Sequence, residues 1–401
     1  MSTIASKTMP FPADTSCSAT PAAPAVALVT PHKATYFKPL LEAFAQAQPA
    51  PWRLCVIWPE GHVSEHPQEL ITPEAANLDI RRVSSGKAAP PAKGNGQAPK
   101  RKRFLPSRAL WRTLAQANPR AILIQEYSPF TLGALIYARW HHIPVMVLTE
   151  VGHGNQHYFK PAVRLWHAWW SLFVQGIGAE SPAAREPISR RATPALPVYH
   201  AVDSRLYVPA LREFEDGAPV TFVYVGQLIP RKGLDLWMNA ASELKRRGVD
   251  NFKLRIVGGG DETWIRHCVA NAGMEQHLEW TGFRSGEALR EAINSADVFV
   301  LPTRQDTYAV VVHEAACMGL PLLVSQHAGA AQGLVREGDN GYVFDPEDSK
   351  SFADHMQCLL DPALRCRMGT AARATAEEYS AHQRGAALWH WMQQQFGLHH
   401  G

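Results

Sequence analysis

Three short stretches in the second half of the chain hold residue types suited to a phosphorylated, hydroxyl-rich ligand. In Val225-Gly226-Gln227-Leu228-Ile229-Pro230-Arg231-Lys232-Gly233 an apolar run ends at Gly226, two cations follow, and a helical pattern starts after Gly233. Cations and free backbone N–H groups at a strand-to-helix turn suit a diphosphate. The plainer reading, a loop with solvated cations, has equal standing on spacing alone. Val257-Gly258-Gly259-Gly260-Asp261 is a second turn of this kind. Its glycines let a backbone approach a ligand closely, although simple turn geometry explains them too. It lacks the G-x-G-x-x-G spacing of a dinucleotide fingerprint. The third stretch, Leu301-Pro302-Thr303-Arg304-Gln305-Asp306-Thr307-Tyr308-Ala309, leads into a helical pattern that carries Glu314 among Val311, Val312, Ala315 and Ala316. An acid in so apolar a helix is costly unless something hydrogen-bonds it. Two ribose hydroxyls would do so, and so would a buried arginine.

These stretches need strands and helices to hold them. From Ala25 the chain alternates short apolar runs with longer amphipathic segments. Strands are predicted at Ala25–Thr30, Leu54–Trp58, Ala121–Gln125 and Ile143–Leu148, and helices at Tyr36–Ala47, Arg108–Ala117 and Phe130–His141. A second series starts near Pro219, with strands at Val220–Val225, Lys253–Val257, Leu278–Thr281, Val298–Leu301 and Pro321–Val324. Its helices are predicted at Leu234–Arg247, Glu262–Ala272, Gly286–Ser295 and Ala309–Met318. A long helical segment after Asp361 runs to the C-terminus and ends in Trp389, Trp391 and Phe396. Alternation of this kind implies parallel sheets covered by helices on both faces. The fold class is therefore α/β, with two Rossmann-like, doubly wound domains facing each other across a cleft. Ligands of such sheets bind beyond the carboxyl ends of the strands.

The 401 residues, 46% of them hydrophobic and 19% charged, fit two or three packed domains. We place a disordered tail at 1–24, an N-terminal domain at 25–205, a C-terminal domain at 206–375 and a returning helix at 376–401. A net charge of +4 is small for this length and gives no general preference for nucleic acid. The six cysteines form no C-x-x-C pair and read as small buried hydrophobes in a reducing compartment. No acidic or His/Cys cluster has the spacing of a metal site, so none is expected. Neither a secretory leader nor a run long enough to span a membrane is evident, which places the protein in the cytoplasm.

In order and spacing, the three stretches resemble glycosyltransferase family 4, the retaining GT-B enzymes of the glycosyl transferases group 1. The resemblance is strong over residues 220–370 and weak before them. Ala328-Gly329-Ala330 and Asn340-Gly341 match later elements of the pattern. The resemblance implies a nucleoside-diphosphate sugar donor, UDP- or GDP-linked, in the C-terminal domain, with no further cofactor. It implies roles for Gly226, Arg231, Lys232, Gly258, Gly259, Thr307, Tyr308 and Ala309 around that donor. Glu314 stands where the family's ribose-binding acid lies, and Asp306 where an acid, usually Glu, approaches the transferred sugar. His153 is the nearest equivalent of a family histidine in the N-terminal domain. Gln227 replaces a frequent arginine, and Pro31-His32-Lys33 replaces a frequent glycine pair. The implied function is transfer of a sugar to a glycan or lipid-linked acceptor in cell-surface or extracellular polysaccharide synthesis, without a metal. A sugar-nucleotide epimerase of similar fold and a non-catalytic family member are the alternatives.

Two features remain outside that pattern. Ser84–Lys100 reads as a flexible surface loop followed by Arg101-Lys102-Arg103, with Arg108 and Arg112 close behind. Leu165-Trp166-His167-Ala168-Trp169-Trp170 and Phe173 form an aromatic segment. They read either as a solvated charge run beside a buried helix, or as a peripheral contact with the anionic inner face of a membrane. No nucleic-acid-binding module accompanies them.

Overall fold

The computed structural model of the protein describes residues 23–31, 37–59, 77–83, 108–186, 193–210 and 217–398. The tail expected at 1–24 (up to residue 22), the flexible basic loop expected at 84–103, and His32 and Lys33 lie outside the described residues. The N-terminal half runs β1 (Ala25–Val29), α1 (Lys38–Ala47), β2 (Arg53–Pro59), β3 (Leu78–Val83), α2 (Arg108–Ala117), β4 (Pro119–Gln125) and α3 (Pro129–Trp140). It continues with β5 (Val145–Thr149), α4 (Pro161–Ser171), β6 (Gly176–Ala179) and β7 (Ala195–Pro197). The C-terminal half runs β8 (Val220–Val225), α5 (Leu234–Arg246), β9 (Phe252–Val257), α6 (Glu262–Ala272), β10 (Leu278–Gly282), α7 (Gly286–Asn294) and β11 (Val298–Leu301). After it come α8 (Val310–Cys317), β12 (Leu322–Ser325), β13 (Gly341–Phe344), α9 (Ser349–Cys358), α10 (Pro362–Glu378) and α11 (Ala381–Phe396).

The strands make two sheets, ordered β3-β2-β1-β4-β5-β6-β7 and β10-β9-β8-β11-β12-β13. Every pairing is parallel. Helices cover both faces, so the inner strands are buried on both sides and read as unbroken apolar runs. All five residues of β1 and all four of β11 and β12 are buried. In each sheet the strand order reverses once, between β1 and β4 and between β8 and β11, which makes two topological switch points.

Four strands were not legible as apolar runs. In β3, Leu-Asp-Ile-Arg-Arg-Val, only the two ends are buried, as suits an edge strand. In β6, Gly-Ile-Gly-Ala, glycines stand where side chains are expected, because neighbours fill their space. A Cβ on Gly176 would lie 2.1 Å from the Trp391 ring, and one on Gly178 would lie 2.3 Å from Leu148. The edge strands β7 and β13 have three and four residues, too few to show a period.

The helical segment expected to run unbroken after Asp361 is two helices. The first ends at Tyr379, and Ser380 caps α11 through an Oγ that accepts from the Gln383 N–H at 3.5 Å. Ala381 N–H donates to Val202 O at 3.0 Å, which aims α11 back toward the first half. There Leu388, Trp389 and Met392 join Leu40, Phe44 and Trp52 in one core. The Trp389 ring lies 5.1 Å from Trp52 and 6.2 Å from Phe44. The helices approach so closely that a Cβ on Gly385 would come within 2.6 Å of the Ala43 and Phe44 backbone. Among the cysteines, Cys55 and Cys317 are buried as expected, whereas Cys358 and Cys366 are exposed.

The contact of α11 with α1 has a measurable weight. Replacing a buried Trp by Ala costs about 3–5 kcal/mol through lost transfer energy and the cavity left behind. Trp389→Ala is therefore expected to lower unfolding stability by that amount in urea titration. An unchanged midpoint would place Trp389 outside the core.

Candidate functional site

The loops after β8 and β11 leave adjacent strands at the switch point of the C-terminal sheet, and their backbones are joined. Arg304 N–H donates to Arg231 O at 2.9 Å and Thr303 Oγ1 to the same oxygen at 3.1 Å. In return Arg231 Nη1 donates to Gln305 O at 2.6 Å. Gly233 sits at φ +71° with the space of its missing side chain taken up, since a Cβ there would lie 2.0 Å from Pro302 O. Only glycine fits this crossing. The Arg304 guanidinium fastens the arrangement by gripping both carboxylate oxygens of Asp235 at 2.8 and 2.7 Å. Between the loops, the Lys232 ammonium and the Asp306 carboxylate form an ion pair with side chains 14% and 15% exposed.

Residues 306–309 are held from behind by the turn at 327–330. Asp306 N–H donates to His327 O at 3.0 Å, Gly329 N–H to Asp306 O at 3.0 Å and Ala330 N–H to Tyr308 O at 2.8 Å. A Cβ on Gly329 would lie 2.0 Å from Thr307 O, so this glycine lets the two turns touch. The chain then passes through Ala309 at φ +73°, an unusual conformation for a residue with a Cβ, and enters α8. The first N–H groups of a helix have no intrahelical acceptor. Those of Val310 and Val311 therefore stand at the start of α8 beside the loop.

Beyond these carboxyl ends lies a cavity of about 550 Å³, lined on one side by Val225–Gln227, Arg231, Lys232 and 306–311. On the other side it is lined by Glu150, directly after β5, and His200, beyond β7. His200 Nε2 lies 2.5 Å from Glu150 Oε1. The cavity is thus formed between the two halves and has the size of a small-molecule site. One wall offers cations and backbone N–H groups, which suit an anion. The opposite wall offers a carboxylate–imidazole pair, which suits hydroxyl groups.

Behind Glu150, two more acids follow the strands on either side of β5, Glu126 after β4 and Glu180 after β6. Burial pushes the Glu126 carboxyl up to about 7, with repulsion from Glu150 acting in the same direction. It accepts the Glu150 N–H at 3.2 Å. Burial raises Glu180 well above the usual carboxylate range, and Glu126 and Glu150 add to the effect.

The cavity brings together Gly226, Arg231, Lys232, Asp306, Thr307, Tyr308 and Ala309 from the sequence expectation. Four expected residues are placed elsewhere. Gly258 packs against the Gly226 carbonyl, 1.8 Å from where its Cβ would be, and Gly259 neighbours Phe283. They shape the loop from behind and do not line the cavity. Glu314 is not among the lining residues and accepts from the Tyr207 hydroxyl at 2.7 Å, a bond that helps to stabilise an acid in this apolar helix. His153 is exposed, beside Gln156 at 2.8 Å. From the N-terminal half, Glu150 and His200 line the cavity and His153 does not. The position of Glu150 at the end of a parallel strand was a usable signal. His200 had none beyond being polar within the apolar Val198-Tyr199-His200-Ala201-Val202.

Comparison with known proteins agrees with this architecture. Residues 212–375 match the family model for glycosyl transferases group 1. The chain is 32% identical to the alpha-D-kanosaminyltransferase of Streptomyces kanamyceticus, over 52% of this chain and 54% of that protein. It is 33% identical to the GDP-mannose-dependent alpha-(1-6)-phosphatidylinositol monomannoside mannosyltransferase of Mycolicibacterium smegmatis, over 41% and 46%. The chain thus spans about half the length of the curated relatives it matches. The fold is similar over most of the chain to that of HepE from Anabaena in complex with UDP, with TM-score 0.69 and 14% identity over 92% of this chain and 99% of that one.

The raised Glu126 carboxyl gives a signed prediction. A group whose folded pKa lies above its unfolded value near 4.5 lets the folded state bind more protons, so stability falls as pH rises between about 4.5 and 7. Glu126→Gln keeps an acceptor for the Glu150 N–H and removes the titration. Urea unfolding across this window should show a shallower decline for the variant and a more stable variant at pH 8. Parallel curves would contradict the assignment.

Proposed function

We propose, for a chain whose residues 212–375 form a group 1 glycosyl transferase domain, that the protein is a retaining glycosyltransferase acting in the cavity between its two halves. The observation that carries this reading is a cation pair and a helix N-terminus on the donor wall, facing Glu150 and His200 across a space of ligand size. The donor is a nucleoside-diphosphate sugar. Its diphosphate lies against Arg231, Lys232 and the Val310 and Val311 N–H groups. These stabilise the negative charge that develops as the bond from the anomeric carbon to phosphate breaks. The acceptor is a glycan or lipid-linked hydroxyl that enters past Glu150 and His200. Its oxygen bonds to the anomeric carbon on the leaving-group face, and its proton passes to the departing phosphate oxygen. Arg231 and Lys232 supply the charge stabilisation, so transfer proceeds without a metal.

Binding of the diphosphate reorganises the ion pair. Lys232 turns from Asp306 toward phosphate, which leaves the Asp306 carboxylate to accept hydroxyls of the transferred sugar. Glu314 lies one turn along α8 from Val310, within reach of the nucleoside if its side chain leaves Tyr207. Similarity to a UDP-binding fold and to a GDP-mannose-dependent enzyme supports either base. The cellular role proposed is assembly of a cell-surface or extracellular polysaccharide, on the cytoplasmic side of the membrane.

Losing one electrostatic stabiliser of this kind costs about 3 kcal/mol, on the order of a hundredfold in rate. Arg231→Ala/Lys232→Ala is therefore expected to lower single-turnover release of nucleoside diphosphate by at least that factor. EDTA should leave the wild-type rate unchanged. A double variant with the wild-type rate, or an EDTA loss reversed by magnesium, would refute the mechanism.

Glu314 and Tyr207 separate a ligand contact from a structural one. Hydrogen bonds to a charged group contribute about 1.5–3 kcal/mol, roughly ten- to a hundredfold in affinity. Glu314→Gln should weaken nucleoside diphosphate binding by that range in calorimetry, whereas Tyr207→Phe should leave it unchanged. Equal effects of the two substitutions would assign Glu314 a structural part and not a ligand contact.

A further inference from the structure

Charge in the N-terminal half is segregated. From residue 108 to 179 there are six Lys or Arg side chains and two carboxylates, Glu126 and Glu150. Both carboxylates follow strand ends, Glu126 after β4 and Glu150 after β5, so α2, α3 and α4 contain no acid at all. These three helices share one face of the sheet, since Leu110, Leu114, Ala134, Ala138 and Trp170 pack into a single core. Trp111 joins α2 to α3 by donating from its indole nitrogen to Gly133 O at 3.0 Å. Trp166 joins α4 to the start of α3 by donating to Tyr127 O at 3.2 Å.

The outer surface of this layer is apolar as well as basic. Ile136 and Trp140 lie one turn apart on α3, 43% and 76% exposed. Leu165 and Trp169 lie one turn apart on α4, 72% and 44% exposed. Arg112, Arg139 and Arg164 are exposed on the same helices, and Lys160 is exposed at the N-cap of α4. A water-facing helix layer normally mixes acids with bases and keeps large apolar side chains inward. Exposed tryptophan and leucine among cations, on helices that carry no acid, are the composition of an interfacial surface that meets anionic lipid. No described helix is long and apolar enough to cross a membrane, so contact through these helices would be with the bilayer surface.

We propose that the outer face of α2, α3 and α4 docks on an anionic phospholipid bilayer, with Ile136, Trp140, Leu165 and Trp169 entering the headgroup region and the arginines pairing with lipid phosphates. A second copy of the chain is the competing occupant of an exposed apolar face, but two such surfaces would bring like charges together. Lipid phosphate offers the opposite charge. The docking requires neither donor nor acceptor and stands independently of the chemistry in the cavity.

Flotation of the full-length protein with vesicles tests this. The protein should rise with mixed phosphatidylcholine–phosphatidylglycerol vesicles, stay down with pure phosphatidylcholine, and dissociate as salt is raised. Each basic residue near the surface is worth about fivefold in partitioning. Arg112→Gln/Arg139→Gln/Arg164→Gln should therefore lose roughly a hundredfold. Trp140→Ser/Leu165→Ser/Trp169→Ser should also release the protein, with unchanged circular dichroism showing that exposed positions alone were altered. Equal binding to neutral vesicles, wild-type binding by both variants, or no binding to anionic vesicles would overturn the proposal. So would sedimentation showing a dimer that the serine variant dissociates while vesicles fail to bind.

Discussion

Lys232 and Asp306 lie on loops that leave adjacent strands in opposite directions of the winding, and their charges meet at the point where the sheet reverses. Largely withdrawing two charges from water is costly, and their mutual attraction offsets that cost only when the geometry is held. The surrounding structure holds it. Backbone bonds between Arg304 and Arg231, the Arg304 grip on Asp235, and the side-chain-free crossing at Gly233 fix the two loops relative to each other. The turn at 327–330 fixes the second loop from behind. The pair is thus a cation kept in place beside an anion of matching charge. In the proposed reaction a ligand phosphate takes over that anion's part while the loops stay as they are.

The C-terminal sheet was legible because its inner strands are buried on both faces. Val220–Val225 and Val298–Leu301 appear at the predicted residues for that reason, and the βα turns that follow them contain the candidate ligands. What the sequence could not show is direction. Glu314 and Val310 share a helix, but only side-chain packing decides that Val310 lines the cavity while Glu314 meets Tyr207. The same holds for Gly258, whose missing side chain makes room for a neighbouring carbonyl and not for a ligand.

The first sheet was harder to read, for a different physical reason. Gly176 and Gly178 leave β6 with little apolar signal because Trp391, more than two hundred residues away in sequence, and Leu148 occupy the space. Such compensation is tertiary and has no local signature. Glu150 and His200 are equally non-local, since they meet only when β5 and the segment after β7 come to the same edge. The wall they form lines the cavity opposite Lys232 and Asp306. The acid-free, basic composition of α2, α3 and α4, by contrast, is visible in the sequence and gains meaning once those helices form one layer.

A structure of the protein with a bound nucleoside diphosphate tests the central claim most directly. The diphosphate is expected at the start of α8, in contact with Arg231 and Lys232, with the Lys232–Asp306 pair opened and the loop backbones unchanged. Diphosphate bound elsewhere, or bound with that ion pair intact, would contradict it.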